Sequence, residues 1–213
     1  MPKIYIFSGL GVDERVFETI DFTGLNVEFI QWIPPMKKES IQNYARRISA
    51  KITETDVVLI GLSFGGMLAV EISKIIPVQK LILIASAKTK FELPLMYRIA
   101  GKLRLHKLIP LTVFKWNNFL SRWFFGIQTK EEKILFKNIL QDTDCTFLRW
   151  AINEIVCWQN AELPLNTIHI HGTQDHILPI KNCKVDCLVE NGGHFMTVNK
   201  AKEIEIIIKT ILK

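Results

Sequence analysis

The sequence has no apolar run approaching the ~20 residues that a membrane-spanning helix needs. Its first stretch, Met1 to Phe7, carries one lysine and too short an apolar run for a secretory signal. A soluble, cytoplasmic protein is the expectation. No internal repeat or low-complexity tract occurs, and a chain of 213 residues with 48% hydrophobic content has material for one substantial core, so a single domain over 1–213 is expected. Cysteine is scarce: Cys145, Cys157, Cys183 and Cys187 show no Cys-x-x-Cys spacing. A chain of this size needs no covalent staples, so the four read as reduced and mostly buried. Glycine-rich phosphate loops, paired-carboxylate patterns and basic-aromatic recognition modules are also missing, which argues against phosphoryl chemistry and nucleic-acid binding. His169 and His171 alternate as a metal pair would on a strand, but no carboxylate or cysteine stands at ligand spacing, so no metal and no cofactor is expected.

What is present centres on Val57-Val58-Leu59-Ile60-Gly61-Leu62-Ser63-Phe64-Gly65-Gly66-Met67. Four apolar residues in a row read as a buried parallel strand, and a helix-period segment follows directly. A serine at that junction stands at the carboxyl end of a sheet, in a turn so tight that Gly61 and Gly65 must lack a Cβ. The following helix aims its first N–H groups at whatever approaches the hydroxyl. Gly-x-Ser-x-Gly alone arises by chance about once in fifteen chains of this length. The surrounding pattern has to decide.

That pattern alternates. Strands are expected at Lys3 to Phe7, Asn26 to Trp32, Asp56 to Gly61, Lys80 to Ala85, Thr167 to Gly172 and Lys184 to Val189. Helices are expected near Val12 to Ile20, from Ser40 to Ile52, from Phe64 to Ile76 with Pro77 as the stop, and from Asn199 to Leu212. Strict alternation predicts an α/β fold, an open, mostly parallel sheet with helices on both faces. Residues 88–159 interrupt it with helical, aromatic-rich sequence, an inserted layer too lacking in sheet to form a large core alone. Thr129-Lys130-Glu131-Glu132 is a capping-box signature within it, and Thr143 to Trp158 is a further expected helix.

A serine hydroxyl is a poor nucleophile at neutral pH and requires a histidine to take its proton and an acid to orient that histidine. Asp175, just beyond a predicted strand in His171-Gly172-Thr173-Gln174-Asp175, and His194, in the loop Asn191-Gly192-Gly193-His194, are the candidates. All three then stand on loops at one edge of the sheet, where open α/β sheets bind ligands. Asp142 and Asp144 are weaker substitutes for the acid, and His176 reads as a loop residue.

The Gly61-Leu62-Ser63-Phe64-Gly65 elbow, the His171-Gly172-x-x-Asp175 loop ending at Pro179, the Gly193-His194 loop and the helical insertion together resemble the α/β-hydrolase fold superfamily over nearly the whole chain. The resemblance implies Ser63 as nucleophile, His194 as general base and then acid, Asp175 as the orienting carboxylate, and an oxyanion hole from the backbone N–H groups of Leu10 and Phe64. Two features depart from the family pattern. The first loop begins Ser8-Gly9 where the family often has His-Gly, and the chain starts at what resembles the family's third strand, implying a reduced sheet of about six strands. The implied activity is cleavage of a carboxylic ester or thioester through an acyl-enzyme. An idle ligand receptor or carrier-docking module, and a cofactor-free lyase or C–C hydrolase, remain as alternatives.

Substrate preference is less legible. Cap aromatics such as Trp123 and Trp150 read either as lining for an acyl pocket or as glue between cap and core. From Lys88 to Lys137 eleven basic residues face three acids, a net +8, while the rest of the chain is net −2. Such a surplus reads as a solvated face or as attraction for an acidic partner: a carboxylate-bearing substrate, coenzyme A or an acyl carrier protein.

Overall fold

In the computed structural model, which describes residues 2–213, six parallel strands form one sheet in the order β2-β1-β3-β4-β5-β6. The strands are β1 (Ile4–Phe7), β2 (Val27–Phe29), β3 (Val57–Leu62), β4 (Val78–Ile84), β5 (Thr167–Gly172) and β6 (Cys187–Val189). The central strands are apolar in unbroken runs because both faces are covered. Tyr5, Phe7, Leu59, Leu81 and Leu83 enter one core with helices α1 (Ile41–Ser49) and α2 (Phe64–Ile72). Ile4, Ile6, Val58, Ile60 and Ile82 enter the other, with α9 (Ala201–Ile211) and the preceding turn of helix α8 (Met196–Asn199). The expected α/β architecture with helices on both faces is what the chain adopts.

Boundaries differ where packing overrides local pattern. The second strand is three residues long because it lies at the sheet edge, and the segment expected as a helix near Val12 is a 3-10 turn over Glu14–Phe17. Helix α2 is shorter than expected: it ends at Ile72, and a turn in which Ile76 N–H donates to the Ile72 carbonyl at 3.2 Å fills the residues before Pro77. The cysteines are free but none is fully buried. Cys145 is exposed at the start of a helix, and the other three are half-buried.

Between β4 and β5 the chain forms α3 (Leu95–Lys102), α4 (Leu111–Phe114), α5 (Phe119–Phe125), α6 (Lys130–Asp142) and α7 (Cys145–Val156), with no strand. This insertion straddles the sheet, since Phe147 and Ala151 of α7 join the first core while Phe136 and Ile139 of α6 join the second. At the start of α6 the Thr129 hydroxyl accepts from Glu132 N–H at 3.2 Å. The Glu132 carboxylate accepts from Gln128 N–H at 2.7 Å, one residue earlier than a capping box would place it.

Candidate active site

Ser63 caps the first turn of α2 with φ 51° and ψ −118°, a conformation that costs a non-glycine residue roughly 1–3 kcal/mol. Besides the first-turn bonds that its carbonyl accepts from Gly66 and Met67 N–H, two contacts with the end of β4 hold it there. Ser63 N–H donates to the Ile84 carbonyl at 2.9 Å, and the buried Ser86 hydroxyl donates to the Ser63 carbonyl at 2.6 Å. The glycines allow the turn by letting backbones touch. A Cβ on Gly61 would lie 2.4 Å from Gly66 Cα, and one on Gly65 would lie 2.2 Å from the Ser8 carbonyl oxygen. The latter contact presses the start of α2 against the loop after β1.

Asp175 follows β5 and His194 follows β6, two and three strands away from β3 in the sheet. The histidine reaches Ser63 because its loop folds back over the end of β5. A Cβ on Gly172 would sit 2.1 Å from the Gly192 oxygen, and Gln174 N–H donates to that same oxygen at 2.8 Å. His194 Nε2 lies 2.8 Å from Ser63 Oγ, and its Nδ1 lies 2.7 Å from Asp175 Oδ2. With the carboxylate accepting from Nδ1–H, Nε2 is left to accept from the serine hydroxyl. The other carboxylate oxygen accepts from Ile177 and Leu178 N–H, both at 2.9 Å. Burial works to raise the Asp175 carboxyl, but the facing His194 and His171 rings and the Leu178 N–H outweigh it and hold the group below the usual carboxylate range. It is an anion in this setting. Asp142 and Asp144 lie elsewhere, Asp142 paired with Arg15 and Asp144 capping α7.

Behind the carboxylate stands a pair of buried histidines that the sequence offered only as a metal pair. His171 Nε2 lies 2.7 Å from the Leu178 carbonyl and 3.4 Å from Asp175 Oδ2, so it carries the proton. Its Nδ1 then accepts from His169 Nε2 at 3.1 Å. The rings are hydrogen-bonded to each other and His171 also to backbone, while His169 Nδ1 is buried without a partner; among the described residues no group of three or more metal-ligating side chains is present. Burial pushes both rings down, His169 to about 3, so both are neutral near pH 7.

The loop Ser8-Gly9-Leu10-Gly11 runs beside the hydroxyl: a Cβ on Gly9 would be 3.4 Å from Ser63 Cβ. Ser8 Oγ, where the family often has histidine, donates to the Val12 carbonyl at 2.9 Å and shapes the loop from within. Thr143, at the α6–α7 junction, has its hydroxyl 2.7 Å from the carbonyl oxygens of both Gly11 and Ile139, so its one proton is shared between the loop and the last turn of α6, and the contact with Gly11 ties the loop to the insertion. Among the described residues, neither Leu10 N–H nor Phe64 N–H has a protein acceptor.

Above the site, the Phe125 ring meets the His194 ring edge to face at 5.7 Å. Phe195 N–H donates to the Phe125 carbonyl at 2.9 Å, and Asn199 Nδ2 donates to the Gly126 carbonyl at 3.0 Å. Of the two aromatics singled out for the acyl pocket, Trp150 packs between the insertion and the first core. Its indole N–H donates to the Glu39 carbonyl at 2.7 Å and its ring packs 4.5 Å from Tyr44 and 5.6 Å from Phe64. Trp123 stacks on His176 at 4.0 Å and keeps one face in solvent. Sequence pattern pointed to Ser63, Asp175 and His194; Ser86 and Thr143 carry no motif, and contacts across the fold are what reveal them.

The sheet order, the elbow and the placement of the three side chains define the α/β-hydrolase fold, and the chain has that fold. Solved structures similar to it bear this out. A bromoperoxidase from Bacillus anthracis is 15% identical with a TM-score of 0.72, covering 100% of this chain and 92% of its own. A thermophilic esterase from Thermogutta terrifontis is 13% identical with a TM-score of 0.74, covering 100% of this chain and 89% of its own. MenH from S. aureus is 19% identical with a TM-score of 0.68, covering 99% of this chain and 93% of its own. No protein-family model matches the sequence, and no curated protein sequence matches it.

Proposed function

We propose that this protein is a serine hydrolase that cleaves a carboxylic ester or thioester of a small or medium acyl group. The observation that carries the reading is the continuous relay from Asp175 through His194 to Ser63, with contacts of 2.7 and 2.8 Å. In this reading His194 Nε2 takes the Ser63 proton as Oγ attacks the acyl carbon, and the buried Asp175 anion stabilises the imidazolium that forms. The developing oxyanion is held by the N–H groups of Leu10 and Phe64, each a contribution of roughly 3–4 kcal/mol in comparable sites. His194 then gives its proton to the leaving oxygen or sulfur. Water, deprotonated by the same ring, attacks the acyl-enzyme and releases the acid. Several of the similar structures are named as esterases, which agrees with this reading of the chain.

Ser63→Ala is expected to lower turnover of activated esters and thioesters by about 10³-fold or more while the circular dichroism spectrum stays unchanged. Rapid labelling of the native protein, and not of that variant, by a fluorophosphonate checks the nucleophile. Undiminished turnover in Ser63→Ala would remove the proposal, and slow or absent labelling would favour an idle receptor. Product analysis on graded acyl chains separates hydrolysis from C–C cleavage or elimination.

A further inference from the structure

The outer surface of the insertion is built unlike the rest of the molecule. From Leu93 to Lys130 there are seven basic residues, among them Lys102, Arg104 and Lys107, and no acid. Elsewhere Arg15, Arg47 and Lys209 find carboxylates, but among the described residues none of these seven takes part in an ion pair. The same 38 residues hold thirteen of the twenty-one exposed large hydrophobic side chains among the described residues. Leu108 is 80% exposed and Phe119 83%, with Leu103, Trp116 and Leu120 each more than half exposed. No residue of α5 (Phe-Leu-Ser-Arg-Trp-Phe-Phe) is buried. The apolar inner contacts of the layer are already made elsewhere, with α3 and α4 packing on α7.

We propose that this face, residues 93–130, docks on an anionic lipid surface. Unpaired cations interleaved with protruding Leu, Phe and Trp side chains are the combination that an interfacial surface needs: charge to draw it to acidic headgroups and apolar side chains to enter the acyl boundary. An acidic protein partner would engage the cations but leave Leu108 and Phe119 without a reason to stand out so far. A second copy of the chain would bring two faces of like charge together. Docking sets α5, whose Phe125 touches His194, against the lipid. The proposal does not depend on which reaction the serine performs.

The test is co-sedimentation of the whole chain with vesicles of phosphatidylcholine alone or mixed with phosphatidylglycerol, with tryptophan emission followed in parallel. Binding about ten-fold or more tighter to the anionic vesicles is expected, weakening as salt rises, with a blue shift from Trp116 and Trp123. The charge-reversed triple variant Lys102→Glu, Arg104→Glu, Lys107→Glu and the apolar variant Leu108→Ser, Phe119→Ser should each lose about ten-fold in affinity. Both alter exposed side chains, so unchanged circular dichroism and an unchanged thermal unfolding midpoint establish that each is folded. Equal binding to the two vesicle types, no binding at low salt, or full binding by the apolar variant would overturn the proposal. So would a dimer that forms without lipid and is abolished by Phe119→Ser.

Discussion

Ser63 sits in a backbone conformation that its own chemistry does not favour, so the neighbours that hold it are as informative as the residue itself. Ser86 is one of them, fully buried with its hydroxyl on the Ser63 carbonyl. Ser86→Ala is expected to cost about 1 kcal/mol in a denaturant titration and to lower kcat more than it raises KM, because the loosened turn misplaces Oγ without altering what binds. Gly65→Ala is a harsher test of the same turn. Its Cβ would collide with the backbone carbonyls of both Ser8 and Phe7, at 2.2 and 2.5 Å from their oxygens, and destabilisation by about 3 kcal/mol or more is expected by the same titration. Ser63, Asp175 and His194 were legible in the sequence because each carries a local signature: a glycine-flanked serine after an apolar run, an acid after a strand, a histidine behind paired glycines. Ser86 was not, since its role exists only where β4 ends beside β3, and neither residue type nor spacing announces that.

Elements were legible to the degree that one periodicity governed them. Helix α1 shows its 3.6-residue beat in Ile41, Tyr44, Ala45 and Ile48, all buried, and the Ser40 side chain caps it by accepting from Asn43 N–H. The cap helices α3, α4 and α5 are short and apolar on their outer sides as well, so no single stripe marks which face packs. Helix α5 relies on its ends instead. Asn118 and Ser121 form a reciprocal capping box and Gly126 closes the other end at φ 72°. Asn118→Ala is expected to destabilise α5 by about 1 kcal/mol, visible as faster amide exchange confined to residues 119–125. The Thr143 link from the insertion to the Gly11 carbonyl belongs to this scale too. Thr143→Val keeps the shape and removes the bond. If Leu10 N–H serves the oxyanion, kcat should fall about ten-fold with KM little changed.

Across the whole molecule, parallel strands covered on both faces leave the two β5 histidines no access to water, with a consequence for acid stability. The His169 ring has a folded pKa of about 3, against an ordinary value of 6.5, chiefly through burial, and His171 is shifted the same way. Between these values the unfolded chain binds the proton and the folded chain does not. Stability is therefore retained above about pH 6.5 and falls on acidification toward pH 3, by up to about 1.4 kcal/mol per pH unit for the His169 ring, and His171 acts in the same direction. Urea unfolding midpoints measured from pH 7 to pH 4 should decline, and His169→Gln should flatten that decline while leaving part of it to His171. The six-stranded sheet and its alternation could be read from the chain; the crossing of the His194 loop over β5 could not, because it depends on Gly172 and Gly192 meeting across twenty residues. Phe125 and Gly126 are bonded to Phe195 and Asn199, on either side of which the proton relay and the last helices continue. An insertion stitched to the His194 loop cannot swing upward like a hinged flap and leave that loop in place, so under the proposed function whatever lifts α5 would also part His194 from Ser63, and a substrate would have to slip past α5 rather than beneath it.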